Sequence, residues 1–147
     1  MFLIARSILV WHPQHVKPSI ANMLRPSMET LKHILVNFYY VEVDDDPLFG
    51  TPSEFEEMRT KNFIETVTIS VEMDARCHRG DSWGRLDEVL TSPEWFSLKR
   101  FSLAIKIINC LGTDNELLVV ALRKLPETQF PRLSSNNSVS FDFEVIA

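Results

Sequence analysis

Apolar and polar residues alternate with a period of two in five places along the chain, and each alternating run closes a stretch of helical or loop character. Period two sends successive side chains to opposite faces of a strand. The runs hold Ile8 and Val10; Ile34, Val36 and Phe38; Val67, Ile69 and Val71; Phe101, Leu103 and Ile105; and Val139, Phe141 and Phe143. In three of them a further apolar residue stands three positions upstream, namely Leu31, Ile64 and Leu98.

Helical signals separate the runs. Pro18 suits a first helical turn, and Ile20, Met23 and Leu24 are expected on one face before Pro26 interrupts. Trp83 is followed at helical spacing by Leu86, Val89 and Leu90. The longest helix is predicted over residues 114–125, where Thr113 with Glu116 spells a capping box and Leu117, Leu118, Ala121, Leu122 and Leu125 form an apolar stripe. Pro126 is expected to stop it. Residues 44–53 carry three aspartates, two prolines and a glycine, which predicts a surface loop, with a helical turn over 54–59.

The upstream apolar residue followed by the alternating triplet is the strand frame of a leucine-rich repeat. Matching positions Ile8, Ile34, Val67, Phe101 and Val139 are 26, 33, 34 and 38 residues apart, so the repeats are irregular, with long helical returns. Strands alternating with helices favour parallel pairing, since each crossover carries the chain back to the same end. A doubly wound sheet buries both faces and makes its central strands continuously apolar. Here the alternate face reads Leu35, Asn37, Tyr39; Thr68, Ser70, Glu72; Ser102, Ala104, Lys106; and Ser140, Asp142, Glu144. The pattern therefore predicts an α/β solenoid: a parallel sheet with helices on one face and water on the other. Residues 1–147 are read as one domain and as a fragment of a longer array, with its weak, unpaired edge at Ile8.

Composition narrows the function classes. The chain has 147 residues, 45% of them apolar and 24% charged, which is the balance of a globular domain. A net charge of −5 without a basic stripe argues against a nucleic-acid partner. No apolar run reaches the ~18–20 residues that cross a bilayer. The apolar stretch at residues 1–11 is short, contains Arg6 and is read as a strand rather than a signal peptide. Two cysteines, Cys77 and Cys110, make no disulfide framework, and the protein is expected inside the cell, in cytoplasm or nucleus. Asn136-Asn137-Ser138 is accordingly read as a polar turn, not a glycosylation site.

Candidate chemistry is sparse. His12 and His15 flank Pro13, which prevents a regular helix from presenting both to a metal. Cys77 beside His78 and Arg79 could have a lowered thiol pKa, but no base, orienting group or oxyanion donor is visible around it. Asp44, Asp45 and Asp46 match no EF-hand spacing. The tripeptide Arg79-Gly80-Asp81 is read as a turn. No glycine-rich phosphate loop or nucleophile elbow is present, and four glycines leave little scope for one. Trp83, Trp95 and Phe96 are expected to pack helices onto the sheet. No cofactor and no metal is expected.

Residues 24–36 (LRPSMETLKHILV), 83–90 (WGRLDEVL), 96–103 (FSLKRFSL) and 125–128 (LPET) resemble the irregular leucine-rich-repeat region of fungal F-box-like proteins, especially those of mushroom-forming basidiomycetes. The resemblance covers most of the chain through loosely spelled motifs. It implies that the repeats capture a substrate protein, while an F-box helix bundle elsewhere docks onto a ubiquitin-ligase core. The chain opens in a strand, so it resembles the C-terminal repeat region alone.

The expectation is a non-enzymatic protein-interaction module with its partner across the polar strand face: Asn37, Tyr39, Thr68, Ser70, Glu72, Ser102, Lys106, Asp142 and Glu144. Tyr39 is the expected anchor, as tyrosine joins a large apolar area to a polar tip. The rivals are a small α/β enzyme using Cys77 and a degenerate fragment without a function of its own.

Overall fold

A computed structural model of the chain describes residues 6–10, 19–38, 48, 50–59, 62–74, 82–108 and 114–146; for 6–10, 74, 114 and 115 it describes the backbone alone. The alternating runs become strands β1 (Arg6–Val10), β2 (His33–Phe38), β3 (Thr66–Asp74), β4 (Arg100–Ile108) and β5 (Ser140–Ile146). Helices fill the intervals: α1 (Ile20–Leu24), α2 (Thr51–Glu57), α3 (Ser82–Leu90), and in succession α4 (Asp114–Arg123), α5 (Leu125–Thr128) and α6 (Pro131–Ser135). The described strands form one sheet in the order β1-β2-β3-β4-β5, and every pairing is parallel. The molecule is thus an α/β fold whose strands neighbour one another in chain order, as the alternation predicts.

Register corrects the frame at both ends. Arg6, Ile34, Val67, Phe101 and Phe141 lie in one row across the sheet, so the true spacings are 28, 33, 34 and 40 residues. Ile8 pairs with Val36, and Val139 stands two residues before the row. A slip of two leaves every face assignment intact, because the side-chain period is two.

One core lies on one side of the sheet. Ile34, Val36 and Phe38 of β2, Val67, Ile69, Val71 and Met73 of β3, and Phe101, Leu103, Ile105 and Ile107 of β4 are all buried in it. Helix residues complete the same cluster: Leu24, Phe55, Trp83, Leu86, Leu90 and Leu122 among them. The upstream frame residues Leu31, Ile64 and Leu98 are buried as well. Trp83 and Trp95 pack into this layer as predicted, although their indole N–H groups meet no acceptor among the described residues.

Several helix expectations need correction. Met23 is exposed, because the buried stripe of α1 runs through Ile20, Ala21 and Leu24 and leaves Met23 about a quarter turn away. Leu117 is exposed too; α4 turns Val119 and Leu122 inward, with Leu118 at the margin. Pro126 does not end a helix but opens α5, where a missing N–H costs nothing. Helix α2 starts at Thr51, not 54, with Pro52 in its first turn and Gly50 at φ 80° before it. Phe96 is 69% exposed and packs no helix onto the sheet.

Helices are joined to one another by carboxylates. Glu54 of α2 accepts hydrogen bonds from the Ser19 hydroxyl (3.1 Å) and the Ala21 N–H (2.9 Å) at the start of α1. Asp87 of α3 does the same for α6, whose capping position falls to Phe130, a residue without an acceptor.

Candidate functional site

The second face of the sheet is built by the residues between the buried ones. Register sets them in rows: Leu35, Thr68, Ser102 and Asp142; then Asn37, Ser70, Ala104 and Glu144; then Glu72, Lys106 and Ile146. Asn37, Thr68, Ser70, Glu72 and Ser102 are half-buried by their neighbours on the face, whereas Lys106, Asp142 and Glu144 are exposed. The structure therefore brings eight of the nine expected residues onto one surface, with the small side chains central and the exposed charges toward β4 and β5. Tyr39 lies outside the described residues.

Ion pairs cross this face between strands. Arg100 Nε stands 2.9 Å from Asp142 Oδ2, to which the Ser102 hydroxyl also donates at 3.4 Å, and Lys106 Nζ stands 3.7 Å from Glu72 Oε1. Just before the strands, Glu65 lies between Lys32 (3.6 Å) and Lys99 (3.4 Å). Partial desolvation lifts the Glu65 pKa, but the two ammonium groups outweigh it and hold the carboxyl below its ordinary value. Backbone bonds repeat at the same level: Glu65 N–H donates to Lys32 O (2.8 Å), Lys99 N–H to Glu65 O (2.8 Å) and Ser140 N–H to Lys99 O (2.8 Å).

Asparagine turns precede two of the strands at equivalent positions, five residues before Val67 and Phe141. Buried Asn62 donates to Met58 O (2.8 Å) and accepts from Ile64 N–H (3.2 Å). Asn136 accepts from Ser138 N–H (2.7 Å) and Val139 N–H (3.2 Å), which makes the sequon the polar turn expected of it. A smaller aromatic feature sits near the start of the strands, where exposed Phe63 and Phe96 meet edge to face at 6.0 Å and Lys32 Nζ lies 5.9 Å from the Phe63 ring.

Sequence reasoning missed Arg100, which ties β4 to β5, and Glu65, which ties together the entries to β2, β3 and β4. Glu65 was available from register arithmetic, since it stands at the same offset from the frame as Lys32 and Lys99; Arg100 was not, because the frame set Val139 where Phe141 stands. Cys77, Cys110, His12, His15, His78, Asp44 to Asp46 and Arg79-Gly80-Asp81 all lie outside the described residues. Among the described residues no three His, Cys, Asp or Glu side chains gather as a metal would require, and no helix is long and apolar enough to cross a membrane.

Comparison with protein-family models, with curated proteins and with solved structures finds no match to this chain.

Proposed function

We propose that the chain is a non-enzymatic protein-interaction module, an irregular leucine-rich-repeat-type solenoid whose polar strand face receives a protein partner. The observation that carries this reading is the one-sidedness of the sheet. In β3 and β4 the residues from Val67 to Ile105 on one face are sealed, while the alternate residues form a largely polar surface that no helix among the described residues covers. The recurring frame, the aligned backbone bonds at Lys32, Glu65 and Lys99, and the paired asparagine turns support a repeat architecture. The resemblance to F-box-like repeat regions supports a narrower role, recognition of the substrate protein of a ubiquitin-ligase adaptor inside the cell.

Site-specific photocrosslinking tests the reading. A photoreactive residue at Ser70 or Ser102, on the open face, is expected to trap a discrete protein in a lysate of the source cells. The same residue at Glu88 or Arg132, on the helix layer, is expected to trap none. Crosslinks confined to the helix positions would overturn the proposal.

A further inference from the structure

From β2 to β5 the charges at the strand entries and within the strands alternate in sign. Lys32 leads into β2; Glu65 leads into β3, which carries Glu72; Lys99 leads into β4, which carries Arg100 and Lys106; β5 carries only Asp142 and Glu144. Each cross-strand ion pair described joins neighbours of opposite sign. The next position in the series, beside β5, is empty among the described residues, and it calls for a basic strand.

The apolar side of β5 says the same. Phe101, Leu103 and Ile105 in β4 are at most 1% exposed, yet their register partners Phe141, Phe143 and Val145 remain half-buried. Alternate backbone groups of a parallel strand point to opposite neighbours. Ser140 N–H donates to Lys99 O, so residues 140, 142 and 144 bond toward β4 and residues 141, 143 and 145 present theirs outward.

We propose that the outer edge of β5 docks an extended segment of another protein in which basic and apolar residues alternate, added to the sheet as a further strand. Its apolar side chains extend the row of Phe141, Phe143 and Val145, and its cations face Asp142 and Glu144. A second copy of this chain fits poorly. Its own β5 would set carboxylates against carboxylates, and its β1 holds a single basic residue, Arg6, where an alternating series is called for. The site shares Asp142 and Glu144 with the polar strand face, but the outward backbone groups of β5 and the row of Phe141, Phe143 and Val145 belong to the edge alone, so Val145→Pro separates the two roles.

Short synthetic peptides test the proposal by fluorescence anisotropy: one alternating lysine and valine, one alternating glutamate and valine, and the lysine-valine peptide methylated on every backbone nitrogen. The first is expected to bind and the other two not, since one lacks the charge and the other the backbone donors. Glu144→Lys, an exposed substitution without consequence for folding, should weaken binding at least about tenfold. Val145→Pro, which removes an outward N–H but no bond to β4, should abolish it while the circular dichroism spectrum stays native. Three results would each overturn the proposal: no binding of the lysine-valine peptide, equal binding of its N-methylated form, or binding indifferent to Glu144→Lys. So would a dimer of the chain alone, seen by light scattering and dissolved by Val145→Pro.

Discussion

Asp87 Oδ1 accepts a hydrogen bond from the Leu133 N–H at 2.8 Å, binding α3 to the first turn of α6 across 46 residues of chain. Its second oxygen takes the Arg132 N–H at 3.1 Å. Pro131 has no N–H, so these two donors are the ones that α6 most needs satisfied. Asp87→Ala leaves the buried Leu133 donor and the partly buried Arg132 donor without an acceptor and should cost about 2 kcal/mol. Asp87→Asn, which keeps one carbonyl oxygen, should cost less. Urea denaturation of both variants checks the order; equal losses would contradict it.

The same carboxylate shapes the pH profile. Burial raises the Asp87 pKa above its ordinary 3.8, against the opposing pull of the Leu133 and Arg132 N–H groups and the Arg132 charge. The folded state therefore holds the proton more tightly than the unfolded state. This contribution to stability is fully present below pH 3.8 and is lost as pH rises through the folded-state pKa. The stability difference between the native chain and Asp87→Asn, followed from about pH 3 to pH 7, should shift against the native chain on the way up. A shift in its favour would show that the donors and Arg132 outweigh burial.

Phe130 joins three elements. Its ring meets Trp83 of α3 edge to face at 6.1 Å, Phe101 of β4 at 6.1 Å and Phe141 of β5 at 5.4 Å. Phe130→Ala should cost about 3–5 kcal/mol, as large cavities in aromatic cores do. Phe96→Ala, at an exposed ring, should stay within about 0.5 kcal/mol. Thermal unfolding of the pair separates the cases.

The strands and their faces were legible in the sequence because period two survives in every run, from Ile34 to Phe143. Register was legible only in the middle: Ile8 and Val139 keep their faces but miss their row by two, since row position is set by the neighbouring strand and not by alternation. Helix faces were ambiguous for a different reason. Helix α4 offers two apolar arcs, Leu117 with Val120 and Val119 with Leu122, and only packing chooses between them. Phe130 and Leu48, both fully buried, belong to no periodic run, and the Asp87–Leu133 bond joins residues that no local pattern relates. The open face was read correctly as a surface, although its central residues prove half-buried, because small side chains in neighbouring rows shade one another.

Glu65 should act as an electrostatic rivet between the entries to β2, β3 and β4. With its pKa held below the ordinary 4.5 by Lys99 and Lys32 against desolvation, its contribution is present above that value and is lost as pH falls. Glu65→Lys sets three cations in one row, and its urea midpoint should fall at low ionic strength and recover in part at high salt. A salt-independent loss would point to packing instead.

Ser70 lies at the centre of the polar strand face proposed to bind a protein, flanked in its row by Asn37 and Ala104. Ser70→Arg puts bulk and charge at the centre of that face without entering the core. The decisive measurement is the affinity of the crosslinked partner for the native chain, for Ser70→Arg and for Arg132→Glu on the helix layer, by isothermal titration calorimetry. Ser70→Arg should lose at least about tenfold, or 1.4 kcal/mol, with its unfolding midpoint unchanged, and Arg132→Glu should bind as the native chain does. Full affinity in Ser70→Arg together with loss in Arg132→Glu would move the interface to the other side of the molecule.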